Sequence, residues 1–252
     1  MQTKSDKKIA LVGHTGFIGS NLKSFYKSKY NFNSKNIKFI NNNKYDLVVL
    51  CAPSSKMWIA NKYPKKDHNN IKNLINILKK TVTKKIILIS TIEVYGTNNN
   101  KNELDIPKKE SNISYGKNRL LLEEFVKFSF ADHLIVRLPI VYGFNFSKNC
   151  IYDLINKNNI NLLNGNDQIQ IYNIKNLKKD INYCLNKKIK LVNISSRPIE
   201  LKYIAKNFFN IKLNLYKNSR SMLMKTSILK KKKYFHSHTK TLQDLKNFLK
   251  NK

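Results

Sequence analysis

The chain has 252 residues, 41% of them hydrophobic and 11% aromatic, which suits one sizeable core, or a core with a small lobe, and excludes intrinsic disorder. Its formal net charge is +33, from 48 lysines and arginines against 15 acids. No stretch approaches about 18 unbroken apolar residues, and the three scattered cysteines (Cys51, Cys150, Cys184) form no CxxC pair, so no membrane-spanning helix, disulfide framework or zinc site is expected.

In chain order, the opening MQTKSDKKIALVGHTGFIGS has too short an apolar run for a signal peptide. Residues 8–12 (KIALV) read as a buried strand ending at Gly13, and 17–29 as a helix. Residues 30–36 alternate weakly, as a second strand would. Residues 45–52 (YDLVVLCA) read as a buried strand, with Cys51 in its core. A helix over 69–80 follows, with Ile71, Leu74, Ile75 and Leu78 on one face. Residues 84–91 and 133–138 read as strands, with a helix from Tyr115 to Phe130 between them. Beyond Cys150 the pattern is irregular, with a strand over 188–193 and helices over 199–210 and 241–250. Alternating strands and helices predict an α/β fold, a doubly wound parallel sheet of the Rossmann type over 1–149. Residues 150–252 are expected to form a smaller substrate-binding lobe, partly interleaved with the first domain.

Gly13-His14-Thr15-Gly16-Phe17-Ile18-Gly19 sits between the first strand and the first helix. Such glycines allow a tight turn, a close approach of backbone amides to a pyrophosphate, and close helix–strand packing. The phosphates then lie at the positive end of the helix. Dinucleotide binding is therefore expected at Gly13, Thr15, Gly16, Phe17, Ile18 and Gly19. An acid at the end of the second strand holds the ribose hydroxyls of NAD. Counting places Asn36 there, with Ser34, Lys35 and Lys38 nearby to meet a 2′-phosphate, which leans the choice between NAD and NADP toward NADP.

These segments together resemble the extended short-chain dehydrogenases, in particular the nucleotide-sugar epimerases, dehydratases and reductases. GHTGFIGSNL is similar to that family's cofactor loop, and DLVVLCAP to the strand whose end, Cys51-Ala52-Pro53, lies beside the cofactor. STIEVYG is similar to the strand end that carries the catalytic hydroxyl, placing Thr91 at that hydroxyl and Ser90, with Tyr115 and Arg119, among the cofactor contacts. Tyr115-Gly116-Lys117-Asn118-Arg119 resembles the catalytic YxxxK, and RLPIVYG the segment after the next strand, placing Leu138 and Pro139 at the cofactor. The resemblance implies Tyr115 as acid/base, Thr91 as the hydroxyl that orients the substrate, and Arg119 as the cation favouring the phenolate. It implies a nucleotide-sugar substrate, a place in surface polysaccharide synthesis, and allows a homodimer. Glu93, Asn145, Gln170 and Tyr172 are the expected substrate contacts, Gln170 standing where the family has a phosphate-binding arginine.

The chain departs from the pattern at two places. Arg119 replaces the lysine; it keeps the charge but cannot relay a proton. Ile92 stands where a dehydratase needs an acid, which disfavours elimination of water. Two functions follow: an NAD(P)-dependent oxidoreductase or epimerase of a nucleotide-linked sugar, or a catalytically silent NAD(P)-binding regulator or scaffold. The positive charge is spread as lysine along the whole chain, as compositional drift spreads it, and no nucleic-acid-binding motif accompanies it, so no nucleic-acid partner is expected. Trp58 is a candidate pocket-lining residue, and His236 and His238 are read as part of a polar loop, with no metal expected.

Overall fold

The computed structural model describes residues 7–97, 99–107, 113–221 and 223–252. From the N-terminus run β1 (Ile9–Val12), α1 (Phe17–Tyr26), β2 (Tyr30–Phe32), β3 (Lys44–Tyr45), β4 (Leu47–Leu50), α2 (Met57–Lys62), α3 (Pro64–Leu78), β5 (Val82–Thr83), β6 (Ile86–Thr91) and α4 (Ser114–Ser129). Then come β7 (His133–Leu138), β8 (Ile140–Tyr142), α5 (Cys150–Asn156), β9 (Gln168–Ile169), β10 (Ile171–Asn173), α6 (Leu177–Asn186), β11 (Leu191–Asn193), β12 (Ile199–Glu200), α7 (Leu201–Phe209) and α8 (His238–Lys250).

Six strands form the central sheet in the order β11-β7-β6-β4-β1-β2, and β1/β2, β1/β4 and β4/β6 pair in parallel. The strands are near-continuous apolar runs because helices cover both faces. Val48, Val49 and Leu50 of β4 and Ile86 to Ile89 of β6 are all buried. On α3, Pro64 occupies the first turn, where its missing N–H costs nothing, and Ile71, Leu74, Ile75 and Leu78 form the buried stripe. The chain leaves β1 toward β2 on one side and returns to β4 on the other. The ends of β1 and β4 therefore flank a topological switch point, where ligands of open α/β sheets bind.

The expected strand over 30–36 is shorter than the alternation implied. It stops at Phe32 because Asn33 and Asn36 close a turn: Asn36 Oδ1 accepts from the Asn33 amide at 2.7 Å, and Asn33 Oδ1 from the Lys35 amide at 2.9 Å. The first helix ends at Tyr26 because Lys27 turns left-handed, at φ 45°.

The chain divides into two compact units, one within Met1–Gly96, Pro107–Val136 and Lys178–Val192, the other within Thr97–Ile106, Arg137–Leu177 and Asn193–Lys252. This division differs from a boundary at 149/150. Residues 140–142 pair with 171–173 as β8 and β10, which draws them into the second unit. Residues 178–192 return to the first, where the Ile135 amide donates to the Lys190 carbonyl at 2.8 Å. The second unit holds the antiparallel pair β9/β12 and an aromatic cluster in which Phe248 meets the Tyr142 and Phe146 rings and Phe146 in turn meets Tyr152. No helix of the described residues is long and apolar enough to cross a membrane.

Candidate active site

At the switch point the ladder runs on past the strand ends. The Gly13 amide donates to the Phe32 carbonyl at 2.8 Å, and the Cys51 amide to the Val12 carbonyl at 2.8 Å. Gly13 has φ +85°, and a Cβ on it would lie 2.8 Å from the Cys51 carbonyl oxygen, so only glycine fits between these two strand ends. A Cβ on Gly19 would overlap the Gly13 carbonyl. That contact brings the first turn of α1 against the loop. The Gly16 amide closes the turn on the Gly13 carbonyl at 3.0 Å. No side chain caps α1 at Gly16, so the capping position is left to backbone. Thr15 and Gly16 are exposed, Phe17 and Ile18 half-buried, and Gly19 buried. A cradle closed to side chains, followed by a helix start without a side-chain cap, fits the diphosphate of a dinucleotide.

Beside this loop, Cys51, Ala52 and Pro53 leave β4 partly exposed, and the Ala52–Pro53 peptide is cis. Desolvation pushes the Cys51 thiol up to about 12, so it stays neutral. Asn36, expected at the ribose, is spent on the turn: its Nδ2 donates to the Asn31 carbonyl at 3.0 Å and its Oδ1 accepts from Asn33. The residue that follows β2 is Asn33, and its Nδ2 lies 3.4 Å from Nε2 of His14 in the glycine loop. Burial, then the positive charge of Lys23, lowers the His14 pKa. Asn33, not Asn36, is the residue that directly follows β2, which counting along an overlong strand missed.

The second cluster gathers where α4 packs on β6 and on the turn Ile92–Tyr95. Thr91 Oγ1 accepts from the Glu93 amide at 3.2 Å and caps that turn. The Ser90 hydroxyl donates to the fully buried Glu123 at 2.6 Å, which makes it part of the helix–sheet contact. The buried face of α4 is unusually polar, carrying Tyr115, Asn118, Arg119 and Glu123. Arg119 holds Asp67 of α3 with both forks: Nη1 donates to Oδ2 at 2.9 Å and Nη2 to Oδ1 at 3.2 Å. Its Nη2 also donates to the Ser54 carbonyl at 2.7 Å, and its guanidinium carbon lies 4.2 Å from the Tyr115 ring centroid. The Asn118 amide donates to Asp67 Oδ2 at 2.8 Å, and Asn118 Oδ1 lies 3.0 Å from His68 Nδ1. The Tyr115 amide donates to Asn61 Oδ1 of α2 at 3.1 Å.

Arg119 acts in the expected direction, toward the Tyr115 phenolate, but burial outweighs it and the net shift is upward. Burial raises the Tyr115 pKa most, the Arg119 charge opposes it, and the negative charges of Glu93 and Asp67 add to the rise. Arg119 also lowers it through a side-chain hydrogen bond, but burial outweighs both of its contributions.

In the second unit, Leu138 is buried at the end of β7, Pro139 follows it, and Asn145 is an exposed left-handed turn residue with φ 63°. Gln170, expected at a substrate phosphate, is 1% exposed and fully engaged. Its Nε2 donates to the Ser196 and Met224 carbonyls at 2.6 and 2.7 Å, and its Oε1 accepts from the Met224 amide at 2.8 Å. It is a structural clamp joining three chain segments. Gln170→Ala strands those three backbone groups and is expected to lower stability by about 2–3 kcal/mol in urea unfolding, with nucleotide affinity unchanged. Tyr172 is buried likewise, edge-on to His236. His236 is itself buried rather than in a polar loop, because its amide donates to the Ser195 carbonyl at 2.9 Å. No cluster of metal-ligating side chains occurs among the described residues, and Trp58, at the start of α2, is 51% exposed.

A model of the NAD dependent epimerase/dehydratase family matches residues 9–184, which spans the glycine loop, both clusters and the switch point. The chain belongs to that family. No curated protein sequence matches it. Among solved structures, this family member is similar to dTDP-4-dehydrorhamnose reductase from Yersinia enterocolitica, at 19% identity over 96% of this chain and 98% of that one, with a TM-score of 0.73. The Bacillus anthracis dTDP-4-dehydrorhamnose reductase in complex with NADP aligns at 16% identity over 99% of this chain and 100% of that one, with a TM-score of 0.73. UDP-glucose 4-epimerase with UDP-glucose from Thermotoga maritima aligns at 16% identity over 87% of this chain and 90% of that one, with a TM-score of 0.69. At these identities the likeness is one of fold: the parallel sheet with flanking helices common to the family.

Proposed function

We propose that this epimerase/dehydratase family member is an NAD(P)-dependent oxidoreductase or epimerase of a nucleotide-linked sugar, acting in the cytoplasm in surface polysaccharide synthesis. The observation that carries the reading is the cradle at Gly13 and Gly19, which excludes any Cβ, in one compact unit with a buried phenol at the start of α4. A bound nicotinamide coenzyme supplies the hydride-exchanging ring. The chain's own residues do the rest. The Gly13–Gly19 loop holds the diphosphate, and the end of β4 at Cys51, Ala52 and Pro53 lines the cleft. Tyr115 moves the proton at the sugar oxygen, and Thr91 orients that oxygen. The fold neighbours support this reading, since they include a dTDP-4-dehydrorhamnose reductase and a UDP-glucose 4-epimerase. Mixing the protein with NADPH or NADH and a panel of 4-keto nucleotide sugars is expected to consume reduced nicotinamide, read by its absorbance. Cofactor binding with no turnover across the panel would contradict the enzymatic reading and support a silent dinucleotide-binding regulator. The capture of Arg119 by Asp67 is the observation that favours that second reading.

NADP is the proposed cofactor. The end of β2 offers Asn33 and His14, which are uncharged amide and imidazole, and Lys35 follows, so no carboxylate repels a 2′-phosphate. Asn33→Asp places an acid there and is expected to weaken NADPH binding on the order of tenfold, about 1.4 kcal/mol, while NADH binding holds or gains. Titration of nicotinamide fluorescence checks this, and an unchanged NADPH affinity would remove Asn33 from the ribose site.

A further inference from the structure

The first turn of α4 carries the Tyr115 phenol, and its own residues do little to hold it. Ile113 stands at the capping position, where no side chain accepts from the orphan amides, and the turn has no acid to meet the positive end of the helix. Gly116 adds backbone freedom directly after Tyr115. The helix closes its first bond of its own at Lys117, whose amide donates to the Ile113 carbonyl at 3.1 Å. The Tyr115 amide is therefore one of the donors that the helix itself cannot satisfy. A helix start built this way frays, and here it would take the phenol with it.

The missing support comes from 54 residues earlier in the chain. Asn61 of α2 accepts at Oδ1 from the Tyr115 amide at 3.1 Å, which makes it a cap lent by another helix. One turn further along α4, Arg119 Nη2 donates to the Ser54 carbonyl at 2.7 Å. Ser54 and Asn61 lie at the two ends of the segment that leaves β4 directly after Cys51, Ala52 and Pro53, the strand end assigned to the cofactor cleft. These two bonds strap the phenol-bearing turn to that strand end. We propose that Asn61 is a positioning residue for Tyr115, holding the phenol in register with the cofactor side of the cleft. The phenol oxygen lies at the far end of a rigid ring, so a small tilt of the Tyr115 backbone becomes a larger displacement at the oxygen. Proton transfer needs that oxygen within about 2.6–3.2 Å of its partner, so the displacement is felt in the rate.

The inference rests on the acid/base role proposed for Tyr115, and its test reads the two separately. Amide hydrogen exchange of the full chain, followed by NMR without cofactor or substrate, reads the bond. Asn61 is an exposed residue of α2 and alanine is the better helix former, so Asn61→Ala leaves α2 intact. It is expected to speed exchange of the Tyr115 amide about tenfold, with the amides of the central sheet unchanged. With NADPH and a 4-keto nucleotide sugar, kcat is expected to fall about tenfold while KM and NADPH affinity stay within about twofold. Asn61→Leu, close in shape but without an acceptor, should match the alanine variant. Asn61→Asp keeps the acceptor and should restore both readings. A merely stabilising cap would lower the melting temperature without separating kcat from KM. Unchanged Tyr115 exchange in Asn61→Ala and Asn61→Leu would overturn the proposal, as would faster exchange with kcat intact in a protein that Tyr115→Phe inactivates. Near-normal turnover in Tyr115→Phe would remove the acid/base reading itself, and the positioning role with it, even where the exchange rate has changed.

Discussion

Gly19→Ala is expected to weaken dinucleotide binding at least about 100-fold. An alanine in the exposed interior of a helix is ordinarily favourable by close to 1 kcal/mol. Here the added methyl has nowhere to go. It would overlap the Gly13 carbonyl and come within 3.0 Å of the His14 Cα, both of them backbone atoms that cannot rotate away. The first turn of α1 must then lift from the end of β1. Gly13 cannot yield, because its own φ of +85° and its approach to the Cys51 carbonyl fix it from the other side. The backbone amides that would meet the diphosphate separate as a result. Charge-assisted hydrogen bonds contribute about 1.5–3 kcal/mol each, so losing two weakens binding at least about 100-fold. Calorimetry with the reduced and oxidised nucleotides measures the affinity, and circular dichroism reports whether the sheet survives. Undiminished affinity in Gly19→Ala would show that the phosphates lie elsewhere.

Tyr115→Phe is expected to lower turnover by about 10²- to 10⁴-fold while leaving the fold and the nucleotide affinity in place. The ring keeps its stacking under Arg119, since the guanidinium lies over the ring face and phenylalanine has the same face. What disappears is the buried phenol O–H that the first turn of α4 carries. The effect should fall on kcat more than on KM. The pH profile follows from the same burial. Because the Tyr115 pKa is raised, the phenol stays protonated throughout the neutral range, and reduction should hold level until pH climbs past the ordinary tyrosine value of about 10. Oxidation should rise over that alkaline window instead. A Tyr115→Phe protein with near-normal turnover would remove the phenol from the chemistry.

Those parts of the molecule governed by local pattern could be read from the residues. The apolar runs of β1, β4 and β6, the glycines between β1 and α1, and the stripe Ile71-Leu74-Ile75-Leu78 are each set within about a dozen residues. What escaped depended on partners far away in the chain. Asp67 is 52 residues from Arg119, and nothing near either one announces the ion pair. Gln170 bonds to residues 26 and 54 positions on, so an amide that looked available to a substrate is closed off by backbone. Asn36 was misplaced for a smaller reason: the alternation of Tyr30-Asn31-Phe32-Asn33 resembles a strand, and only side-chain hydrogen bonds to the turn amides end it at Phe32. One signal for the polar cluster was present. Tyr115, Asn118, Arg119 and Glu123 repeat on one helical face, and a polar stripe that continues into a buried helix marks a network rather than a solvated surface.

The most direct test of the whole account is isothermal calorimetry of the purified chain with NADPH, NADP, NADH and NAD in turn. Saturable binding of a pyridine nucleotide, tighter for the phosphorylated pair, is the predicted result. Heat changes no larger than dilution for all four would contradict it, since the proton chemistry assigned to Tyr115 requires a nicotinamide held at the ends of β1 and β4.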